Sequence, residues 1–312
     1  MKQKKIYVTL SQFCEGNDEP RRLLKEAGFT VLENTMGRRI LKEEMFDALR
    51  DADAVLAAVE SYDAGLLSRL PKLRCISRCG ASTDAIDLGA AEKYGKVVLA
   101  TTDEVVEPVA QMTLAMILAL ARNFPLHLND FRSSRWKKHY GRLLSEWRVG
   151  LIGFGRIGRK VEEYLRPFHC EILITDPFIK NSEVSKDAMI CDLNTLLAES
   201  DLISVHVARP DGEGYLLGRS EISKMKRGSY LVNTSRGYLI DEEALVEALK
   251  SGDMAGCALD VFEKEPYKGP LFECPNVLAT PHVATLTNAS RTAMELRCAQ
   301  NVVGYFKHLE KQ

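Results

Sequence analysis

The stretch Trp147–Pro177 reads WRVGLIGFGRIGRKVEEYLRPFHCEILITDP. It opens with an apolar run, Val149-Gly150-Leu151-Ile152, of a length that suits a buried strand. Gly153, Gly155 and Gly158 follow in G-x-G-x-x-G spacing, and Ile157, Val161 and Leu165 then recur at helical intervals. Ile172-Leu173-Ile174 reads as a second strand, ending in Asp176. Strand, glycine turn, helix, strand and acid therefore succeed one another. Asp176 follows Gly155 by 21 positions, close to the ~20 expected for an acid that holds an adenosine ribose.

Each position has a physical task. Gly153 permits a tight turn out of the strand, Gly155 lets a pyrophosphate approach the backbone, and Gly158 lets the helix lie close to the sheet. The amides and dipole at the helix start, Arg156-Ile157-Gly158, favour the diphosphate charge. Asp176 accepts from the ribose hydroxyls and repels a 2′-phosphate, which predicts NAD rather than NADP.

Working outward, the same alternation fills both flanks. Upstream, strands are expected at Ile6–Leu10, Phe29–Leu32, Ala54–Val59, Leu73–Ser77 and Val97–Ala100. Helices are expected between them, at 20–27, 41–49, 65–70 and 85–94. Glu104–Arg122 reads as a long buried helix crossing between domains, and Asn123–Glu146 as a polar and aromatic segment. Downstream, strands are expected at 202–207, 230–233, 256–260 and 277–280, and helices at 193–198, 220–225 and 242–250. Asn288–Leu309 reads as one long helix returning to the first domain. The pattern predicts an α/β protein of two doubly wound parallel sheets. A nucleotide-binding domain, 101–285, is inserted in a discontinuous one, 1–100 plus 286–312.

The 312 residues carry a formal net charge of −1, which calls for neither nucleic acid nor an anionic membrane. The basic start, Met1–Lys5, is followed only by Ile6–Leu10, too short for a signal sequence, and Leu114–Ala121 is far below a membrane span. The eight cysteines are dispersed without C-x-x-C spacing and read as reduced thiols of a cytoplasmic protein. Cys75 and Cys79 are four apart on an expected strand, so no metal site is expected.

In open α/β sheets ligands bind outside the carboxyl ends of strands. Three polar groups follow such ends: Arg236 in Asn233-Thr234-Ser235-Arg236-Gly237, Glu265 in the run from Asp260 to Pro266, and His282 in Thr280-Pro281-His282. Reduction of a 2-keto acid by NADH needs this set. A guanidinium anchors the carboxylate and polarises the carbonyl. Histidine supplies a proton near neutral pH. A carboxylate beside that histidine orients its ring and favours its protonated form. Glu263 competes with Glu265 for that place. His206, near the end of 202–207, reads as a packed histidine beside the cofactor.

The motifs VGLIGFGRIG, NTSRGYLIDEEALVEAL, GCALDVFEKEP and NVLATPHVA resemble those of the D-isomer-specific 2-hydroxyacid dehydrogenases, nearly end to end. The resemblance implies a Rossmann NAD-binding domain inserted in a flavodoxin-like substrate domain. It also implies a homodimer formed through the cofactor domain, acting on a small-molecule substrate. By it, Arg236 is the substrate arginine, Glu265 the acid paired with histidine, and His282 the acid/base. Asp260 would hold the nicotinamide carboxamide alongside the Thr234 backbone. The loop whose amides help bind the substrate carboxylate in that family is here Gly80-Ala81-Ser82-Thr83-Asp84-Ala85, with alanine and serine at two of its usual positions.

Two other readings use the same fold. One is an NADH-sensing binding protein resembling the family's transcriptional corepressors, and the other is a dehydrogenase of another small anion such as phosphite. Val59-Glu60, at the end of the third strand, suggests a glutamate facing the substrate. That would repel a phosphate and select a compact, singly charged keto acid.

Overall fold

The computed structural model describes residues 3–180, 184–186, 188–207 and 214–310. The chain divides into two compact units, Met1–Val105 with Thr285–Gln312, and Val106–Ala284.

The first unit holds five parallel strands, β1 (Lys5–Val8), β2 (Thr30–Glu33), β3 (Ala54–Ala57), β4 (Cys75–Arg78) and β5 (Val97–Ala100), in the order β2-β1-β3-β4-β5. This is the flavodoxin-like order. All four residues of β3 are buried, as a central strand covered on both faces requires. The helix Asn288–Leu309 packs on the helix Glu19–Glu26 and on β4. Phe306 lies against Phe29 with ring centroids 5.4 Å apart.

The second unit is a seven-stranded parallel sheet. Its strands are β6 (Arg148–Ile152), β7 (Glu171–Thr175), β8 (Ala188–Ile190), β9 (Leu202–Val205), β10 (Ser229–Asn233), β11 (Met254–Leu259) and β12 (Val277–Ala279). Their order is β12-β11-β10-β9-β6-β7-β8. Read from β8, the chain order is 3-2-1-4-5-6-7, the dinucleotide-binding order with one strand added, and it reverses between β6 and β9. One face packs Val149, Leu151 and Ile172 against Met116, Leu120, Val161 and Leu165. The other packs Ile203 and Leu231 against Leu196, Leu197, Leu245 and Leu249. Gly150 makes this second face possible, because a Cβ there would strike Ser200 and Leu196.

Several boundaries differ from expectation. The helix expected over 104–122 is Val106–Ala121 and belongs wholly to the second unit. The expected helix start at Leu41 is a turn, because the Glu44 carboxylate accepts from the Leu41 amide (2.8 Å) and the helix begins at Met45. Asn123–Glu146 contains an unanticipated helix, Phe124–Arg132. Asn123 separates it from the preceding helix in a left-handed conformation, φ 53°. Strand β8 was not anticipated either. It has three residues and, among the described residues, pairs with β7 alone, too short to carry a periodic signal.

Candidate active site

At the reversal point, β6 leads into the glycine turn. Gly153 has φ 93°, and a Cβ there would lie 2.6 Å from the His206 carbonyl oxygen. A Cβ on Gly158 would strike the Gly153 carbonyl. Gly155 differs: a Cβ there would meet nothing within 4 Å. It caps the helix Arg156–Leu165 and has no side chain to offer the first amides. Two glycines are thus needed for packing, and the middle one leaves a cradle at a helix N-terminus that fits a diphosphate.

Asp176 follows β7 and turns back on this loop. Its Oδ2 accepts from the Phe154 amide (2.7 Å) and its Oδ1 from the Phe178 amide (2.9 Å). His206 follows β9, with its Nε2 2.9 Å from Ser204 Oγ and its amide donating to the Ile152 carbonyl (2.7 Å). The surrounding protein desolvates the ring and lowers its pKa to about 4, so it is neutral near pH 7.

The other loops leave neighbouring strands at one level, since Asn233 pairs with Leu259 and Leu259 with Ala279. After β10, the Asn233 side chain accepts from the Ser235 amide (3.0 Å) and donates to the Arg236 carbonyl (2.8 Å), shaping the turn that carries Arg236. The Arg236 guanidinium donates to the Ser235 carbonyl (2.7 Å). Gly237 must be glycine, because the Phe262 backbone occupies the place of its Cβ. The Phe262 amide donates to Glu265 Oε1 (3.1 Å). Glu265 Oε2 lies 2.9 Å from His282 Nδ1, in a half-exposed pair. Glu263 points elsewhere: its Oε1 accepts from Tyr215 (3.3 Å) and its amide donates to Glu242 (2.7 Å).

His282 is left-handed, φ 54°. For a non-glycine residue this costs about 1–3 kcal/mol and persists only where the surroundings impose it. Asp260 is fully buried below it. Its Oδ1 accepts from Thr280 Oγ1 (2.6 Å) and the Val283 amide (2.8 Å), and its Oδ2 from the Ala284 amide (2.9 Å). Thr234 Oγ1 is 2.8 Å from Thr113 Oγ1 in the helix Val106–Ala121, a buried contact 121 residues apart in sequence. Thr113 gave no sign of this in its apolar run.

In the first unit, Gly80 has φ 144°, and its amide donates to Thr101 Oγ1 (2.7 Å). The Arg78 side chain lies over it, 2.6 Å from where a Cβ would be, while Ala81 is exposed beyond. The expectation for Glu60 fails. It is 2% exposed and turned inward, where Thr9 Oγ1 donates to its Oε2 (2.7 Å), and the neighbouring Val59 is the exposed residue. Glu60 lies past the end of β3 (Ala54–Ala57), in a loop where strand alternation no longer sets the facing. The charge argument against a phosphorylated substrate falls with that expectation.

Residues 114–284 match the family model described as D-isomer specific 2-hydroxyacid dehydrogenase, NAD binding domain. The chain belongs to that family. It is similar to a glyoxylate reductase of Thermofilum pendens, 34% identical over 98% of this chain and 93% of the relative. It is also similar to a D-3-phosphoglycerate dehydrogenase of Methanocaldococcus jannaschii, 33% identical over 92% of this chain, which spans 55% of that enzyme's length. Among solved structures, a D-lactate dehydrogenase of Aquifex aeolicus, in complex with NAD and lactic acid, superposes with a TM-score of 0.85. It is 28% identical over 98% of this chain and 96% of its own. The protein is an NAD-dependent oxidoreductase of 2-hydroxy and 2-keto acids.

Proposed function

We propose that this enzyme reduces a small 2-keto acid of the glyoxylate and hydroxypyruvate class, with Arg236, Glu265 and His282 as its catalytic residues. The observation that carries the reading is the 2.9 Å contact between His282 Nδ1 and Glu265 at the carboxyl edge of the nucleotide-binding sheet. With Nδ1 engaged, Nε2 is the nitrogen that exchanges a proton with the substrate oxygen. Arg236 anchors the carboxylate and draws electron density from the carbonyl. NADH, when bound, supplies the hydride. Gly153, Gly155, Arg156, Ile157 and Gly158 hold its diphosphate and Asp176 its ribose, with Thr234, Asp260 and His206 beside the nicotinamide. The first unit is the substrate domain, although the Gly80 amide expected to receive the carboxylate is engaged by Thr101 Oγ1. A relative that matches over nearly its whole length, the Thermofilum enzyme, is named a glyoxylate reductase, which favours a small substrate.

The test is kcat/KM for glyoxylate, pyruvate, hydroxypyruvate, longer keto acids and 3-phosphohydroxypyruvate with NADH. Preference for one of the small unphosphorylated acids is expected, and preference for the phosphorylated compound overturns the substrate class. NADH binding without turnover of any acid favours the sensor reading, and turnover of phosphite alone favours the third.

A homodimer in the cytoplasm completes the proposal. Between Phe124 and Leu143 the second unit exposes large apolar side chains in close succession, including Phe131 (70% exposed), Trp136 (86%) and Tyr140 (99%). Exposed apolar side chains gathered in one segment support an interface there. A second copy of the chain is its proposed occupant. Sedimentation of the wild type and of Phe131→Asp/Trp136→Asp tests it: a monomeric wild type removes the dimer. Among the described residues no single helix is long and apolar enough to cross a membrane.

A further inference from the structure

Asp260 would contact the nicotinamide by family resemblance, yet its carboxylate is largely spent on its own chain. A carboxylate offers about four acceptor directions. Three are taken by Thr280 Oγ1, the Val283 amide and the Ala284 amide. These donors bracket His282, one two residues before it and two directly after. The His282 amide closes the turn on the Thr280 carbonyl (3.0 Å), and the Thr280 amide continues the sheet ladder to Leu259 (2.9 Å). The left-handed backbone of His282 is thus tied on both sides to one buried group at the end of β11. Without such ties a histidine relaxes to an extended or right-handed conformation, which swings its ring to another direction.

We propose that Thr280 is a positioning residue: its hydroxyl, through the buried Asp260 carboxylate, holds the 280–284 loop so that His282 stays left-handed with its ring against Glu265. Thr280 touches neither ring nor carboxylate of that pair in the contacts described, and acts only through the loop. The inference rests on His282 being the acid/base. It goes beyond that reading by giving Asp260 a second task, independent of cofactor contact, and Thr280 its first.

The experiment compares full-length Thr280→Val, Thr280→Ser and His282→Gln by steady-state keto-acid reduction and by NADH fluorescence titration. Displacement of a catalytic group by about 1 Å costs on the order of 100-fold. Thr280→Val should therefore lower kcat by roughly 10–100-fold, while the Kd for NADH stays within about a factor of two. Thr280→Ser keeps the hydroxyl and should restore most of kcat. If Thr280→Val does not fold by circular dichroism, Thr280→Ala carries the same comparison with serine. Undiminished kcat in the valine or alanine variant overturns the positioning role, and so does a serine variant as impaired as valine, which would make the effect one of packing. An inert His282→Gln beside an unaffected Thr280→Val overturns this inference alone. An active His282→Gln overturns the acid/base reading and this inference with it.

Discussion

Two aspartates end strands of the same sheet and are used in opposite ways. Asp176, after β7, is half-buried and takes two backbone amides, those of Phe154 and Phe178. Asp260, after β11, is fully buried and takes a hydroxyl and two amides from the loop that carries His282. The first is steadied by its neighbours and keeps acceptor capacity for a ribose. The second is the anchor on which its neighbours depend. Residue type and strand-end placement do not separate an acid that keeps acceptor capacity from one spent on its own loop, whereas burial and the inventory of donors do.

The largest effect expected lies on the Asp260 side. His282→Ala should lower kcat by about two to four orders of magnitude with NADH binding retained. Near-normal turnover in a folded variant would move the chemistry off this loop, with His206 the next residue to test. Asp260→Ala leaves two amides and a hydroxyl without their acceptor, and urea unfolding should register a loss of about 2–5 kcal/mol. Asp176→Ala, whose amides lie nearer solvent, should lose less than about 1 kcal/mol. Equal losses would break the contrast between the two acids.

His206 offers a pH test from β9, the strand beside the glycine turn. Its pKa is lowered from 6.5 to about 4 by desolvation, so below pH 6.5 the unfolded chain binds a proton that the folded one refuses. Stability is therefore unaffected by this residue above pH 6.5 and falls as pH drops towards 4, by on the order of 3 kcal/mol. His206→Asn should flatten that limb in urea melts at stepped pH, and an unchanged slope would mean the ring is solvated. The smallest effect belongs to Asp176. Its replacement by alanine should weaken NADH about tenfold, the loss of a charged hydrogen bond or two, and narrow the gap to NADPH. A wild type that prefers NADPH several-fold sinks the ribose assignment.

Much of the second unit was legible because its signals are local. The glycine spacing demands a turn and a helix start within a few residues, and Gly153, Gly155 and Gly158 each meet the surroundings that this spacing implies. Arg236, Glu265 and His282 stand in short motifs just past strand ends. Element boundaries were less legible where side chains cut a periodic run short, as Glu44 does at Leu41. The facing of Glu60 was misread because it lies in the loop after β3, where no strand period sets its direction and the partner that draws it inward, Thr9, is 51 residues away.

By itself, the sequence determined that a dinucleotide fold is present, where its glycine turn lies, and which acid follows at ribose distance, since each depends on residues close together along the chain. Only the tertiary structure decided that Glu265 rather than Glu263 meets His282, that Thr234 leans on Thr113, and that Asp260 holds the Thr280–Ala284 loop. Those choices pair donors and acceptors 17 to 121 residues apart in sequence. Buried polar groups must find partners, but which partner each finds is set by the packing of strands and helices that brings distant loops to one edge of the sheet.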